Sequence, residues 1–193
     1  MADFLSSEFW NNRYHEGQIG WDLGTISPPI HAYVEQLTDI NLRILIPGCG
    51  NAWEAEYLFR KGFKNVHILD FAQAPLDNFK IRNPNFPIDQ MHCGDFFAHK
   101  GRYDLIIEQT LYCAINPLLR NDYARKSAEL LDVGGKLVGV LFNRTFESGP
   151  PFGGSKEEYL ICFTPYFKSC SMEICHNSAS PRSGNELFIR LIK

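Results

Sequence analysis

Several features are missing from this sequence of 193 residues, and each absence argues against a class of protein. No apolar stretch approaches the roughly 20 residues that a membrane-spanning helix needs, so we expect no membrane association. Residues 1–8 have neither the basic region nor the apolar region of a signal peptide, which favours a cytoplasmic location. The net charge is −3 and there is no run of lysine and arginine, so nucleic acid is not an expected partner.

The sequence also lacks a Cys-x-x-Cys pair, although it contains six cysteines. In a chain without a signal peptide, reduced thiols are a better interpretation than disulfides. The neighbours His92 and Cys93, and the group Cys170, Cys175 and His176, do not have the spacing of a zinc site. We therefore expect no bound metal.

Apolar runs alternate with segments of helical periodicity along most of the chain, and no linker or repeat divides it. The pattern predicts strands over residues 43–47, 66–70, 88–93, 103–108 and 136–142. Helices are predicted over 52–61 and 73–81, from the Asn116-Pro117 cap to Gly134-Gly135, and after a capping box at Ser155. A further helix between the third and fourth strands is optional.

Two late strands, over residues 169–175 and 186–192, flank a polar loop that is typical of an antiparallel hairpin. This order predicts an α/β protein with a three-layer αβα sandwich of Rossmann-like type. Its seven-stranded sheet would be mostly parallel, with an antiparallel C-terminal hairpin. Ligands of such sheets bind beyond the carboxyl ends of the strands.

The stretch RILIPGCGNAWEAE, residues 43–56, predicts a strand, a glycine turn and a helix. Gly48 and Gly50 would let the backbone approach a ligand closely, although an ordinary strand-to-helix turn is the alternative. The Lys-Ser/Thr pair of a phosphate-binding loop is absent, which disfavours hydrolysis of nucleoside triphosphates. Trp53 stands where dinucleotide-binding proteins have a third glycine, which argues for a ligand without a pyrophosphate.

Acidic residues follow the second and third predicted strands. Asp70 could accept hydrogen bonds from both hydroxyls of a ribose, or it could cap the next helix. Asp95 could accept from an adenine amine with Phe96 packed on the ring, or the two could belong to an ordinary turn. Together with the glycine turn, these residues favour an adenosine ligand without phosphates, for which S-adenosylmethionine is the obvious candidate.

At this point the sequence resembles a known family over residues 9–193. It is similar to class I S-adenosylmethionine-dependent methyltransferases of the thiopurine S-methyltransferase family, which includes related thiol and halide methyltransferases. The stretches that carry the resemblance are FWNNRYHEGQIGWDLGTISPP, LIPGCGNAWEAEYL, ILDFAQAPL, CGDFF, YDLIIEQTLYCAINPLLRNDYA, LLDVGGKLVGVLF and SGPPFGGSKEEY. The aromatic N-terminal segment, the CAINP run and GPPF point to this family in particular.

The resemblance implies a set of cofactor-binding residues for S-adenosylmethionine and its product S-adenosylhomocysteine. It implies one domain over residues 1–193, with residues 1–40 as an arm over the cofactor and 41–193 as the core. Trp10 and Trp21 would lie on that arm, where aromatic faces attract a sulfonium, although they could simply pin the arm to the core. The implied cofactor-binding residues of the core are Pro47, Gly48, Cys49, Gly50, Asp70, Asp95, Phe96, Glu108 and Gln109.

The acceptor site is expected beyond the fourth strand. Some family members have an Asp-Arg pair where this chain has Glu108-Gln109, so the sequence departs here from the pattern associated with thiopurines. Tyr112, or a water held by Glu108, could help to deprotonate the acceptor, which makes these two residues the predicted catalytic groups. The predicted acceptor-binding residues are Gln109, Tyr112, Pro150, Pro151 and Phe152, although the last three could form only a stiff loop.

The predicted function is methyl transfer from S-adenosylmethionine to a small-molecule acceptor, with the sulfur of a thiol or thiopurine as the expected nucleophile. A thiol has a pKa of about 8.5, so a strong base is not required. The chain is expected to act as a monomer. The alternatives are another small-molecule acceptor such as a halide, and a binding protein without catalysis. A nucleic-acid methyltransferase would carry an Asn/Asp-Pro-Pro-aromatic motif after the fourth strand, and a NAD-dependent oxidoreductase would not have Trp53 in the turn.

Overall fold

A seven-stranded sheet forms the centre of the computed structural model, which describes residues 5–193. Its strands are β1 (Arg43–Pro47), β2 (Asn65–Asp70), β3 (Met91–Cys93), β4 (Tyr103–Gln109), β5 (Leu131–Phe142), β6 (Ser169–Ile174) and β7 (Glu186–Ile192). The order across the sheet is β3-β2-β1-β4-β5-β7-β6. Strands β1 to β5 pair in parallel, and β7 is antiparallel to both β5 and β6. The prediction of a mostly parallel sheet with a C-terminal antiparallel hairpin is confirmed.

Helices cover both faces of the sheet, as expected for three layers. They are α1 (Ser7–His15), α2 (Pro28–Val34), α3 (Trp53–Arg60), α4 (Gln73–Arg82), α5 (Arg120–Leu130) and α6 (Lys156–Phe163). Successive residues of a strand point to opposite faces, so Ile44 of β1 joins Leu58 of α3 in one buried cluster. Leu45 joins Tyr123 of α5 in the other buried cluster.

The direction in which strands are added reverses between β1 and β4, which are neighbours in the sheet. The carboxyl ends of both strands therefore meet at one edge, and open α/β sheets bind ligands at this switch in strand order. Consequently Gly48, after β1, and Gln109, at the end of β4, lie at the same edge.

Two predicted elements differ from the structure. Of the predicted third strand, only Met91–Cys93 is extended, whereas Ile88–Gln90 forms a 3-10 helix with Ile88 69% exposed. The segment that follows β3, residues 94–102, contains no helix. The optional helix between the third and fourth strands is therefore absent, and a loop connects them.

The helix expected to end at Gly134-Gly135 ends earlier, at Leu130, and β5 begins at once with Leu131. Gly134 has a φ of +80°, and a Cβ on Gly135 would lie 2.9 Å from the carbonyl oxygen of Asp132. The two glycines thus belong to an irregular start of β5, where the register with β4 shifts. The predicted helix end was wrong because a bulge and a helix cap share the same glycine signal.

Two predicted caps are confirmed. The Asn116 side chain accepts a hydrogen bond from the Leu118 N–H at 3.0 Å and begins the 3-10 turn that leads into α5. Ser155 and Glu158 form the expected capping box at the start of α6. Helices α1 and α2 of the N-terminal segment had no counterpart in the prediction. The proposed division into an arm and a core stays a prediction, and residues 1–4 of the arm lie outside the described range.

Within residues 5–193, no helix has both the length and the apolar character needed to cross a membrane.

Candidate active site

The turn after β1 is shaped by two glycines in the left-handed region of the backbone. Gly48 has a φ of +59° and Gly50 a φ of +53°, which side-chain-bearing residues rarely adopt. A Cβ on Gly48 would lie 2.8 Å from the Cβ of Leu111, and one on Gly50 would lie 2.6 Å from the Tyr14 hydroxyl. Both positions therefore need glycine, because Leu111 and Tyr14 pack directly against the turn.

Asp70 fixes this turn from the end of β2. Its Oδ2 accepts a hydrogen bond from the Gly50 N–H at 2.8 Å, and its Oδ1 accepts from the Ala72 N–H at 2.9 Å. Burial raises the pKa of the Asp70 carboxyl, while these two N–H donors oppose the rise. The carboxylate thus ties the glycine turn to the segment that precedes α4, and each oxygen keeps a further lone pair for a ligand hydroxyl.

A cleft, called the first cleft below, opens beside the glycine turn and offers about 390 Å³ of space, part of it open to solvent. Among the predicted residues, its walls include Trp21, Gly48, Cys49, Gly50 and Gln109. Further wall residues, which the sequence interpretation did not assign, are Tyr14, Asp22, Leu23, Thr25, Asn51, Trp53, Glu54 and Thr110.

The charged residues in the walls of the first cleft are both acidic. Asp22 accepts a hydrogen bond from the Trp53 indole N–H at 2.7 Å, so Trp53 holds the carboxylate in place. Glu54 is 5% exposed, and its Oε1 accepts from the Ser27 N–H at 3.1 Å. Burial raises the pKa of the Glu54 carboxyl. Two carboxylates in the same walls as the Trp21 ring suit a cationic ligand.

The N-terminal arm forms one wall of this cleft through Trp21. The Trp21 ring packs edge-on against Trp10 at 5.5 Å and against Tyr14 at 5.8 Å between centroids. The Arg182 guanidinium donates to the Trp21 carbonyl at 2.6 Å and thereby ties the arm to the C-terminal hairpin. Trp10 is not among the wall residues; it stands behind Trp21.

The two residues predicted to hold adenine lie apart from the first cleft. Asp95 is exposed and accepts from the Phe97 N–H at 2.9 Å. Phe96 is 5% exposed and stacks on Tyr123 in the core at 5.0 Å between centroids. Their contact with adenine stays a prediction.

Glu108, a predicted catalytic residue, is fully buried in the core. Its Oε1 accepts from the Tyr112 N–H at 2.9 Å, and its Oε2 accepts from the Tyr123 hydroxyl. Burial raises the pKa of the Glu108 carboxyl to about 7, although both donors counteract this. In this arrangement the carboxyl supports the turn that follows β4, and its role in proton transfer stays a prediction.

A second, smaller cleft lies on the other side of that turn, and its roughly 260 Å³ of empty space includes open solvent. Its walls are mostly apolar or aromatic, with one buried carboxyl from Glu186, which faces Arg182 at 3.5 Å. Of the predicted acceptor residues, Tyr112 lines this cleft, whereas Gln109 lines the first and accepts from the Ser27 hydroxyl at 3.0 Å. The full set of wall residues is Thr110, Tyr112, Cys113, Val140, Leu141, Phe142, Tyr159 and Glu186.

The proline-rich loop lies behind the second cleft. The Phe152 N–H donates to the Cys113 carbonyl at 2.6 Å, and Arg120 donates to the Gly153 carbonyl at 2.7 Å. The Arg120 guanidinium also lies 5.1 Å above the Tyr112 ring. Pro150, Pro151 and Phe152 are absent from the walls described above, so their contact with an acceptor stays a prediction.

All six cysteines are free thiols. Within the described part of the chain, no group of three histidine, cysteine or acidic residues is placed to hold a metal ion.

The wall residues Tyr14, Asp22, Glu54 and Thr110 were absent from the prediction. Tyr14 and Asp22 lie within the quoted aromatic N-terminal stretch, so the tryptophans of that stretch were a usable signal for the surrounding residues. Glu54 looked like an ordinary residue of a helix, and only its burial against Ser27 distinguishes it.

Sequence comparisons show which known proteins this chain is similar to. The sequence profile of the thiopurine S-methyltransferase family matches residues 5–186. A probable thiol methyltransferase 2 from Arabidopsis thaliana is 30% identical, and the match covers 94% of this chain and 83% of the relative. A thiopurine S-methyltransferase from Vibrio parahaemolyticus is 27% identical, with 84% of each chain covered.

Solved structures agree on the fold. A 1,6-didemethyltoxoflavin-N1-methyltransferase from Burkholderia thailandensis, solved with its acceptor and S-adenosylhomocysteine, superposes with a TM-score of 0.72. The superposition covers 97% of this chain and 86% of that one at 15% identity, so it supports the class I methyltransferase fold alone. The family match extends over nearly the whole chain and confirms the resemblance seen in the sequence. The chain belongs to the thiopurine S-methyltransferase family.

Proposed function

We propose that this protein transfers a methyl group from S-adenosylmethionine to the sulfur of a small thiol. One observation carries the proposal: a cleft with acidic and aromatic walls lies at the switch in strand order and adjoins a second, mostly apolar cleft. The family to which the chain belongs is defined by methyl transfer to sulfur. Cytoplasmic location and monomeric state stay predictions.

The first cleft fits S-adenosylmethionine by its chemistry. This cofactor, when bound, supplies a methyl group on a positively charged sulfur. Asp22 and Glu54 bring negative charge to the walls, and the Trp21 ring adds an aromatic face that attracts cations. Gly48 and Gly50 leave room for close backbone approach, and Asp70 keeps acceptor capacity for ribose hydroxyls.

The second cleft has the properties required of an acceptor site. Its walls of tyrosine, phenylalanine, valine and leucine present an apolar surface to a nucleophile. For a direct in-line displacement, orientation and exclusion of water supply most of the rate. A thiol is partly ionised near neutral pH, so the chain needs no strong base at this point. This agrees with a Glu108 carboxyl that faces the core.

A small thiol is preferred over a thiopurine as acceptor. Gln109 stands where some family members have arginine, and its side chain is held by the Ser27 hydroxyl. Relatives of both kinds, a probable thiol methyltransferase and a thiopurine S-methyltransferase, are similar to this chain, so the preference rests on Gln109.

The first test concerns cofactor binding. Asp70→Asn should weaken the affinity for S-adenosylmethionine by about 10-fold to 100-fold, because a charge-assisted hydrogen bond is worth about 1.5–3 kcal/mol. Titration calorimetry of the folded variants measures this. Asp77→Asn, on the exposed face of α4, is the matched control and should bind like the wild type. An affinity of Asp70→Asn for S-adenosylmethionine equal to that of the wild type would contradict the assignment of Asp70 to the ribose.

The second part of the test concerns catalysis. The purified wild type is incubated with S-adenosylmethionine and a panel of thiols, thiopurines and halides, and release of S-adenosylhomocysteine is measured. Turnover with small thiols is the expected result. Tight cofactor binding with no turnover on any acceptor would show a binding protein and overturn the proposal.

A further inference from the structure

Thr110, the residue after β4, has an unfavourable backbone conformation. Its φ is +71°, and only Leu5 and Ala52 share a positive φ among the non-glycine residues of the described range. A β-branched side chain makes this region especially unfavourable. Such strain persists only where surrounding contacts impose it, and it is concentrated at functional sites.

The contacts that impose this conformation are all local to the turn. The Thr110 hydroxyl donates to the Gln109 carbonyl at 2.6 Å, which fixes the side-chain rotamer. The Cys113 thiol donates to the Thr110 carbonyl at 3.2 Å, and Glu108 holds the Tyr112 N–H. The Thr110 side chain is therefore rigidly placed.

Thr110 also has a particular location, because it lines both the first and the second cleft. No other residue in the described walls is shared between the two. An acceptor sulfur must come within roughly 3–3.5 Å of the methyl carbon in line with the bond that breaks. The part of the acceptor next to its sulfur must therefore pass beside Thr110.

We propose that Thr110 is a specificity-determining residue that narrows the junction between the two clefts. It selects acceptors whose sulfur is carried on a slender aliphatic chain over those whose sulfur is attached to an aromatic ring. This inference rests on the proposed function, since it assigns the second cleft to the acceptor. It adds a substrate class, namely primary aliphatic thiols, and the residue that imposes it.

The test compares kcat/KM for ethanethiol and for thiophenol in the wild type and in three variants. Thr110→Gly widens the junction and should raise the ratio of thiophenol to ethanethiol by about tenfold or more, the usual size of steric discrimination in a pocket. Thr110→Ser, which loses only the methyl group, should shift the ratio in the same direction by a smaller factor. Thr110→Val keeps the shape and should leave the ratio near that of the wild type. Because each ratio is compared with that of the wild type, the intrinsic reactivity of the two thiols cancels.

Stability measurements separate this role from a structural one. Glycine adopts a positive φ readily, so Thr110→Gly should not lower the Tm while it changes selectivity. An unchanged ratio in Thr110→Gly and Thr110→Ser would overturn the inference. Loss of turnover with both thiols at unchanged cofactor affinity would also overturn it. If the wild type methylates no thiol, the proposed function itself fails, and that result is distinct from a failure of selectivity.

Discussion

At the scale of single residues, four carboxyl groups are buried around the two clefts: that of Glu186, which faces Arg182, and those of Asp70, Glu54 and Glu108. Asp70, Glu54 and Glu108 are each less than 9% exposed, and burial raises the pKa of all three. Each accepts at least one hydrogen bond from a backbone N–H, which offsets part of the cost of burying the charge. Glu108 has no cationic hydrogen-bond partner, so no neighbouring positive charge stabilises its ionised form. The free energy of unfolding should therefore depend on whether Glu108 is protonated.

The pH dependence of Glu108 has a defined sign. Its pKa rises from an ordinary value of 4.5 to about 7 on folding, so the native state binds the proton more tightly than the unfolded state. Stability from this group is complete below pH 4.5 and is lost as the pH rises to 7. Glu108→Gln cannot ionise. Its free energy of unfolding, relative to that of the wild type, should therefore rise by about 3 kcal/mol as the pH increases over this interval.

Urea unfolding of Glu108→Gln and wild type at several pH values between 4.5 and 8 measures the difference. Glu147→Gln, on an exposed loop, is the matched control and should follow the wild type. A difference between Glu108→Gln and wild type that does not change with pH would contradict a raised pKa.

At the scale of elements, the ends of β1, β2 and β4 position the first cleft, and α6 supplies a wall of the second. Tyr159 of α6 lines the second cleft, and its hydroxyl donates to the Phe142 carbonyl at 2.6 Å. The Ser155–Glu158 capping box begins this helix one turn earlier. Since Tyr159 is held by β5 as well as by its own helix, the cap should affect stability more than the acceptor site.

Ser155→Ala should lower the free energy of unfolding by about 1 kcal/mol, which is the usual contribution of an N-cap side chain. For a chain of this size the Tm should fall by about 2–4 °C. Differential scanning calorimetry measures the shift, and Ser169→Ala on exposed β6 serves as the control. A Tm equal to that of the control would mean that the cap contributes nothing to stability.

At the scale of the whole molecule, a row of three imidazoles joins β2, β3 and the loop between β3 and β4. His67 Nδ1 and His92 Nε2 are 3.0 Å apart, the His92 and His99 rings are 5.0 Å apart, and His99 Nε2 is 2.8 Å from the Tyr103 hydroxyl. Burial lowers the pKa of all three histidines, and their mutual repulsion lowers those of His67 and His99 further. The neighbouring charges that act on them are Asp89, Arg43 and Lys126.

His99 should make the protein less stable in acid. Its pKa falls from 6.5 to about 4 on folding, so its contribution is complete above pH 6.5 and is lost as the pH drops towards 4. His99→Gln, whose amide can still pair with Tyr103, should be less sensitive. Because solvent partly screens this site, we expect the free energy of unfolding of His99→Gln, relative to that of the wild type, to be only about 1 kcal/mol higher at pH 5 than at neutral pH.

Thermal unfolding at pH 5 and pH 7.5 checks this, with exposed His176→Gln as the control. Equal pH dependence in His99→Gln and wild type would contradict the prediction. Glu108 acts in the opposite direction over an overlapping interval, so only the single variants separate the two contributions.

The sequence by itself determined the features that depend on neighbouring residues. The bounds of β1 and β7, the capping box at Ser155 and the glycine turn follow from local apolar runs, caps and missing side chains. The family, and with it the methyl donor, was visible in the sequence for the same reason: its motifs are short and contiguous.

The tertiary structure alone decided where side chains point and which distant segments meet. Gly50 contacts Asp70, Ser27 contacts Gln109, and Arg182 contacts Trp21 across long stretches of chain. The burial of Glu108 and the shared position of Thr110 depend on such contacts. The periodicity of a sequence shows which face of a helix or strand is apolar. It does not show which residues of distant segments pack against that element, so these features could be seen only in the folded chain.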